Sequence, residues 1–294
     1  MSMWPTIAEH ISAATGTPFS VSAEHHVGGG CISSAFRIDG NGQRYFVKVN
    51  SADQLDMFAA EAEGLSELAN AHAVRVPASV CWGVAEHQAF LVLENLDLGG
   101  GNGKSAEQLG RSLAALHRYT RPQFGWHRDN TIGSTPQINT ASADWLSFWR
   151  QHRLGFQLEL AAHRGYGGSL QRKGEALLEV LAALFDDYHP VASCLHGDLW
   201  SGNFAVTRAG EPVIFDPAVY FGDREADLAM TELFGGFPSR FYDAYNEAWP
   251  LDSGYAVRKT LYNLYHILNH LNLFGGGYGG QAERMMDQLL SALR

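Results

Sequence analysis

His196-Gly197-Asp198-Leu199-Trp200-Ser201-Gly202-Asn203, followed thirteen residues after Asn203 by Asp216-Pro217, decides the reading of this chain. Moving a phosphoryl group onto an alcohol asks little covalent chemistry of a protein. It needs an in-line hydroxyl, a proton acceptor beside it and metal charge on the phosphate oxygens. Asp198 fits the acceptor, a catalytic base. Asn203 and Asp216 offer hard oxygens suited to Mg2+, which takes a few protein oxygens alongside phosphate and water. Residues 191–195 read as a short apolar strand delivering His196 to a loop, while 203–206 and 212–215 read as a hairpin turning at Arg208-Ala209-Gly210. Asn203 and Asp216 would then meet at its open end. Pro217 is expected to hold Asp216 extended. Any one of these residues could merely cap a turn; three in this order and spacing point to a site.

Upstream, Gly28-Gly29-Gly30 and Ser33 form a glycine turn running into a strand, and Tyr45-Phe46-Val47-Lys48-Val49 is a second strand with one lysine at its centre. In that order the turn can cover the phosphates of ATP and Lys48 can reach the α- and β-phosphates. A helical period follows, with Phe58, Leu65 and Leu68 inward; Glu61 shares that face and is a better partner for Lys48 than Glu63. Residues 89–98 are an apolar strand that turns polar, where backbone groups from Glu94 to Leu96 could bond the adenine edge. Gly99-Gly100-Gly101-Asn102-Gly103 is the strongest linker signal. The expected class is α+β. A small lobe, 1–97, carries an antiparallel sheet with helices near 3–15 and 53–69. A larger lobe, 98–294, is mainly helical, near 105–119, 141–163, 170–187, 225–234, 255–274 and 282–293.

These residues resemble the fructosamine/ketosamine kinase family, a branch of the aminoglycoside-phosphotransferase-like kinases in the protein-kinase-like superfamily. The likeness runs over nearly the whole chain: Gly28 to Ser33, Phe46-Val47-Lys48, residues 129–137, Asp144-Trp145, the His196 to Asn203 block and residues 223–230. Residues 129–137 and Leu199-Trp200-Ser201 mark the branch, whereas the aspartates and asparagine mark only the superfamily. The resemblance implies a bilobal protein-kinase-like fold and the use of ATP and Mg2+. It also implies phosphorylation of the sugar 3-hydroxyl of ketosamines of the fructosamine or ribulosamine type, which destabilises the adduct and reverses glycation. Unlike regulated protein kinases, the chain has Pro217-Ala218 after Asp216 and resumes a helix by Glu225, leaving no room for a long activation loop. Kinases of aminoglycosides, choline or homoserine would share the same three residues. A non-catalytic nucleotide-binding scaffold is the other alternative, against which the intact Lys48, Asp198, Asn203 and Asp216 argue.

A ketosamine carries hydroxyls and a protonatable amine, so its pocket should offer carboxylates and an aromatic face. Trp200 is either that face or a core aromatic; Asp223 and Glu225 either lend charge to the substrate or cap and open a helix, with Arg224 and Asp227 as ion-pair partners. Ser105 and Gln108 read as a capping box and His117 as a charge at that helix's C-terminal end. His266 and His270, four apart on an apolar helix, read as a core pair, and Trp145, Phe148, Trp149 and Phe156 as a core stripe.

Composition bounds the partners. With 294 residues, 46% of them hydrophobic, the chain can bury two cores. A net charge of −10 disfavours nucleic acid and anionic membrane; the partners that the resemblance implies are small-molecule ketosamines or glycated amines. Three cysteines without metal spacing, and no apolar run near the roughly 20 residues that span a bilayer, fit a cytoplasmic setting. Cys31, in the glycine turn, is the cysteine whose oxidation would hinder ATP binding.

Overall fold

The computed structural model describes residues 2–28 and 32–293. The expected phosphate-loop glycines Gly29 and Gly30, and Cys31, lie outside the described residues. Helix α1 (Trp4–Thr15) opens the chain with proline in its first turn and stops at Gly16, whose φ of 68° supplies the left-handed cap. Five antiparallel strands follow, β1 (Ala23–Val27), β2 (Ser34–Gly40), β3 (Gln43–Ser51), β4 (Ser79–Ala85) and β5 (Gln88–Glu94), in the order β1-β2-β3-β5-β4. Between β3 and β4 runs α2 (Leu55–Asn70).

Period-2 alternation divides the work of this sheet. Tyr45, Val47 and Val49 of β3, with Phe90 and Val92 of β5, bury against Ile7 and Ile11 of α1 in one compact cluster. The opposite face carries Phe46 and Lys48, paired in register with Leu93 and Leu91. On that side Leu91 and Leu93 join Phe58, Leu65 and Leu68 of α2 in a second cluster that continues into the larger lobe. Burying each such side chain stabilises by about 1.5–3 kcal/mol. Lys48 is thus set by register on the face that the two lobes share.

The larger lobe begins with the two-residue strand β6 (Leu98–Gly99) and α3 (Gly103–His117). The capping box expected at Ser105 and Gln108 is not what starts α3: Asn102 Oδ1 accepts from Lys104 N and Ser105 N, and Ser105 Oγ donates to Gly210 O. Next come β7 (Thr120–Arg121), the hairpin β8 (Asn130–Ile132) and β9 (Thr135–Gln137), and α4 (Trp145–Trp149), which passes through a π-helical turn at 150–155 into α5 (Phe156–His163). The single helix expected over 141–163 therefore starts at its Asp144 cap, which accepts from Ser147 N at 2.7 Å. Helix α6 (Ser169–Val180) ends in a 3-10 turn, followed by β10 (Ala192–Leu195), β11 (Phe204–Thr207), β12 (Pro212–Ile214) and β13 (Tyr220–Gly222). Four helices close the chain: α7 (Arg224–Leu233), α8 (Ser239–Ala248), α9 (Tyr255–Phe274) and α10 (Tyr278–Ala292). Strand β10 is sandwiched between β13 and β7, and β11 between β12 and β6. Among the described residues no helix is long and apolar enough to cross a membrane.

Candidate active site

Strand β10 is buried along its whole length, and its register against β13 and β7 fixes where His196 leaves the sheet. The loop beyond is held from behind. Asp227 of α7 accepts from His196 N at 2.7 Å and Gly197 N at 2.8 Å. Burial alone would raise the pKa of Asp227, but the His117 bond and charge outweigh it and hold the carboxyl below its usual value. His117 is itself fully buried, its ring between Asp227 and Tyr245 Oη, so it is a polar link in the core and not a surface charge at a helix end. Gly197 has φ 82°, and a Cβ there would stand 2.0 Å from Ala218 O; no side chain fits that turn. His196 Nε2 faces Phe215 O at 2.9 Å while Nδ1 accepts from Asp198 N at 3.3 Å; burial keeps the ring neutral by lowering its pKa.

These constraints deliver Asp198 to the floor of a cavity of about 690 Å3 between the lobes, where Lys48, Glu61, Asn203 and Asp216 also line the wall. Burial first, then the charge of Asp216, pushes the Asp198 carboxyl up to about 7 against the lowering effect of its Asn203 bond. A carboxylate near neutrality is a competent proton acceptor at physiological pH. Asn203 Nδ2 donates to Asp198 O at 2.9 Å, to Asp198 Oδ2 at 3.2 Å and to Asp216 O at 3.4 Å. With the amide nitrogen so engaged, Oδ1 is the atom Asn203 has left for a cation.

Asp216 departs from the extended backbone expected before Pro217. Its φ is 57°, a left-handed conformation that costs a non-glycine residue of order 1–3 kcal/mol. Two backbone bonds bracket it, Phe215 N to Asn203 O at 3.1 Å and Ala218 N to His196 O at 2.8 Å. In this left-handed conformation both bonds are made and the carboxylate is turned toward Lys48. Lys48 Nζ then donates to Asp216 Oδ1 at 2.6 Å and to Glu61 Oε1 at 2.7 Å. Burial opposes the lysine's charge, but the two carboxylates prevail and raise its pKa. Glu61, not Glu63, is the partner.

The remaining predicted residues divide. Gly28, Ser33, Glu94, Leu96 and Trp200 line the cavity. Asn50 Nδ2 of β3 donates to Ile32 O and Ser33 Oγ at 3.1 and 3.2 Å, tying the residues just before β2 to the sheet. Glu94 N is taken by Ala78 O, and its carboxylate by Arg75 and Ala78 N, while Asn95 and Leu96 follow it along the cavity wall. Trp200 is 37% exposed, folds over Gly202 and stands edge-on to Phe234; it is not a core aromatic.

Asp223 and Glu225 are corrected as substrate contacts. Asp223 is 1% exposed, caps α7 and accepts from Tyr188 and Tyr262. Glu225 is fully buried and takes a two-pronged pair from Arg258 at 2.8 and 3.0 Å. Neither borders the cavity. The expected partners also differ: Arg224 bonds backbone oxygens of Trp249 and Pro250, and Asp227 holds the His196 loop.

The hairpin β8–β9 supplies site residues that residue chemistry did not single out. Asn130, Thr131 and Gly133 line the cavity. Asn130 Nδ2 donates to Val219 O at 2.8 Å and Gln137 Nε2 to Ala218 O at 3.0 Å, stitching the hairpin to the residues just after Asp216. The family-like stretch 129–137 was the available signal.

The donor set suits Mg2+: an amide oxygen, a carboxylate and room for phosphate and water. Among the described residues no three His, Cys, Asp or Glu side chains converge into a preformed transition-metal cage. A strand lysine paired to a helix glutamate, with a loop aspartate and two oxygen-bearing side chains at a hairpin mouth gathered around the same cavity, is the arrangement of a two-lobed, protein-kinase-like phosphotransferase.

Comparison with known proteins narrows the class. The model of the fructosamine kinase family matches residues 3–292, and the chain belongs to that family. It is 50% identical over 288 residues to a protein of Synechocystis sp. named a probable ketoamine kinase, covering 98% of this chain and 97% of that one. A solved structure from Haemophilus somnus described as a fructosamine-3-kinase superposes with TM-score 0.90 at 29% identity, over 98% of each chain. A thermostable mutant of the aminoglycoside phosphotransferase APH(4)-Ia, in ternary complex with ADP and hygromycin B, shares the fold at TM-score 0.66 and 16% identity, over 98% of each chain.

Proposed function

We propose that the protein transfers the γ-phosphoryl group of ATP to the sugar 3-hydroxyl of a ketosamine, the adduct of a reducing sugar with an amine. The observation that carries the reading is the convergence, in one cavity, of a carboxyl held near pH 7 with a lysine that bridges Glu61 and Asp216. Asp198 accepts the proton of the attacking hydroxyl, while its backbone N–H is held by His196 Nδ1 and the two residues before it by Asp227. Lys48 holds the α- and β-phosphates, under Gly28 and Ser33, and gives up part of its bond to Asp216 as it does so. Asn203 Oδ1 and the Asp216 carboxylate would hold Mg2+, which would supply positive charge to the phosphates. Asn95 and Leu96 receive the adenine edge, and Trp200 offers its face to the sugar or its protonated amine. A 3-phosphate on the sugar destabilises the adduct, so the reaction serves deglycation.

The test is phosphorus NMR of reactions containing the protein, Mg2+, ATP and one acceptor from a panel of fructosamine, ribulosamine, erythrulosamine, an aminoglycoside, choline and homoserine. A new sugar-phosphate resonance with a ketosamine, assigned to the 3-position, is the expected result. ATP consumption with only the other alcohols, or with none of the panel, would overturn it.

A further inference from the structure

Helix α2 carries Glu61 toward Lys48, yet three other acids on it serve the larger lobe. Glu67, 7% exposed, accepts two bonds from Arg121 at 2.9 Å and one from Trp126 Nε1 at 3.1 Å. Glu63 accepts from His127 Nε2 at 2.8 Å and from Arg128, which also reaches Asp56. Asp56, Glu63 and Glu67 recur at helical spacing on one stripe, turned away from Glu61. Their partners in 121–128 are themselves anchored: Phe124 exchanges backbone bonds with Ser142, and Gly125 with Phe221. A second observation is independent of charge. A Cβ on Gly64 would lie 3.2 Å from Val219 Cγ2 and 3.7 Å from Pro217 Cγ, so the helix seats on the residues directly after Asp216. Glycine is a poor choice inside a helix, and close seating accounts for it.

We propose that Glu67 and Glu63 are positioning residues for nucleotide binding: they bolt α2 to residues 121–128 of the larger lobe, so that Glu61 already holds Lys48 in place before a nucleotide arrives. An isolated exposed ion pair is worth little; Glu67 is buried and accepts three bonds from two donor groups, Arg121 Nη2 and Trp126 Nε1, which makes it the principal bolt.

The proposal rests on the ATP reading, and a double-mutant cycle separates the two. Mg-ATP is titrated calorimetrically into the wild-type protein, Glu67→Gln, Glu61→Gln and the double variant. If Glu67 acts through Glu61, Glu67→Gln weakens binding about five- to tenfold beside Glu61 and less than about twofold once Glu61 is Gln. Equal weakening in both backgrounds, or none in either, overturns the proposal while leaving the ATP reading intact. A wild-type protein that binds no Mg-ATP ends the ATP reading, and the bolt falls with it. Should Glu67→Gln fail to fold, Glu63→Gln, on the more exposed pair, carries the same cycle with the same outcomes. A merely structural bolt would lower thermal stability in every background without this non-additivity.

Discussion

Two clusters in this molecule have the same formula, one cation between two carboxylates, and opposite construction. Lys48 lies between Glu61 at 2.7 Å and Asp216 at 2.6 Å; Arg258 lies between Glu225 at 2.8 Å and Asp252 at 2.6 Å. In the first, the Asp216 side chain is 44% exposed to the cavity. In the second, the Arg258 and Glu225 side chains are 4% and 0% exposed, against 12% for both Lys48 and Glu61, and the outer carboxylate, Asp252, is 34% exposed. Arginine presents a rigid fork that commits to its partners, whereas a lysine ammonium is a point charge on a flexible stem that can be shared with an arriving phosphate. The sealed cluster holds α7 against α9; the open one is poised for exchange. Charge alone does not mark a functional site, and what discriminates is whether a partner can leave without stranding a buried ion.

The largest effect expected is at the open site. Asp198→Asn should cut kcat by about 10²–10⁴-fold while Mg-ATP affinity is largely kept. It should not lower Tm, because burial and Asp216 already disfavour the Asp198 charge in the folded state. Turnover within a factor of about two of wild type would remove Asp198 from its role. At the sealed site the pattern inverts. Arg258→Leu strands Glu225 and should cost about 3–5 kcal/mol of stability, read by denaturant unfolding, with kcat/KM per folded molecule little changed. A variant as stable as wild type would show that the second cluster is not what holds α7.

The smallest effect is a slope. A carboxyl raised to about 7 is protonated below that pH and cannot accept a proton, so kcat/KM should climb about tenfold per pH unit below it and level off above. The same shift has a stability consequence of definite sign. The unfolded carboxyl ionises in its ordinary range near 4, so Asp198 subtracts from stability progressively as pH rises from there to about 7. Comparing Tm against pH for wild type and Asp198→Asn isolates that loss, and parallel curves would refute the raised pKa.

Much of the site was legible because its chemistry needs particular residue types in chain order. Asp198, Asn203 and Asp216 announced themselves through spacing, and the i, i+4 relation of Glu61 to Leu65 selected it over Glu63. Asp227 was read as an ion-pair partner at the start of α7 because two of its partners are backbone N–H groups, which leave no mark in a sequence, and the third, His117, lies 110 residues away. Asp216 broke the usual rule for a residue before proline because two long-range backbone bonds overrode the local preference. Helix α8 went unread although Phe241, Ala244 and Tyr245 fall inward at the three-and-four spacing that marks a buried face. The cap of α3 failed for a plainer reason: Asn102 stood three residues before the favoured Ser105 and took the backbone donors first.

The six residues between Asp216 and Asp223 are wholly given over to structure: Ala218 is pinned to His196, Tyr220–Gly222 is woven into a sheet beside β10, and Asn130 and Gln137 hold the carbonyls between. Where other enzymes of this architecture keep a pliant stretch for upstream enzymes to modify, this one has none to spare there. Covalent modification between Asp216 and Asp223 would have to break those backbone bonds first, so a switch of that kind has no place in this stretch.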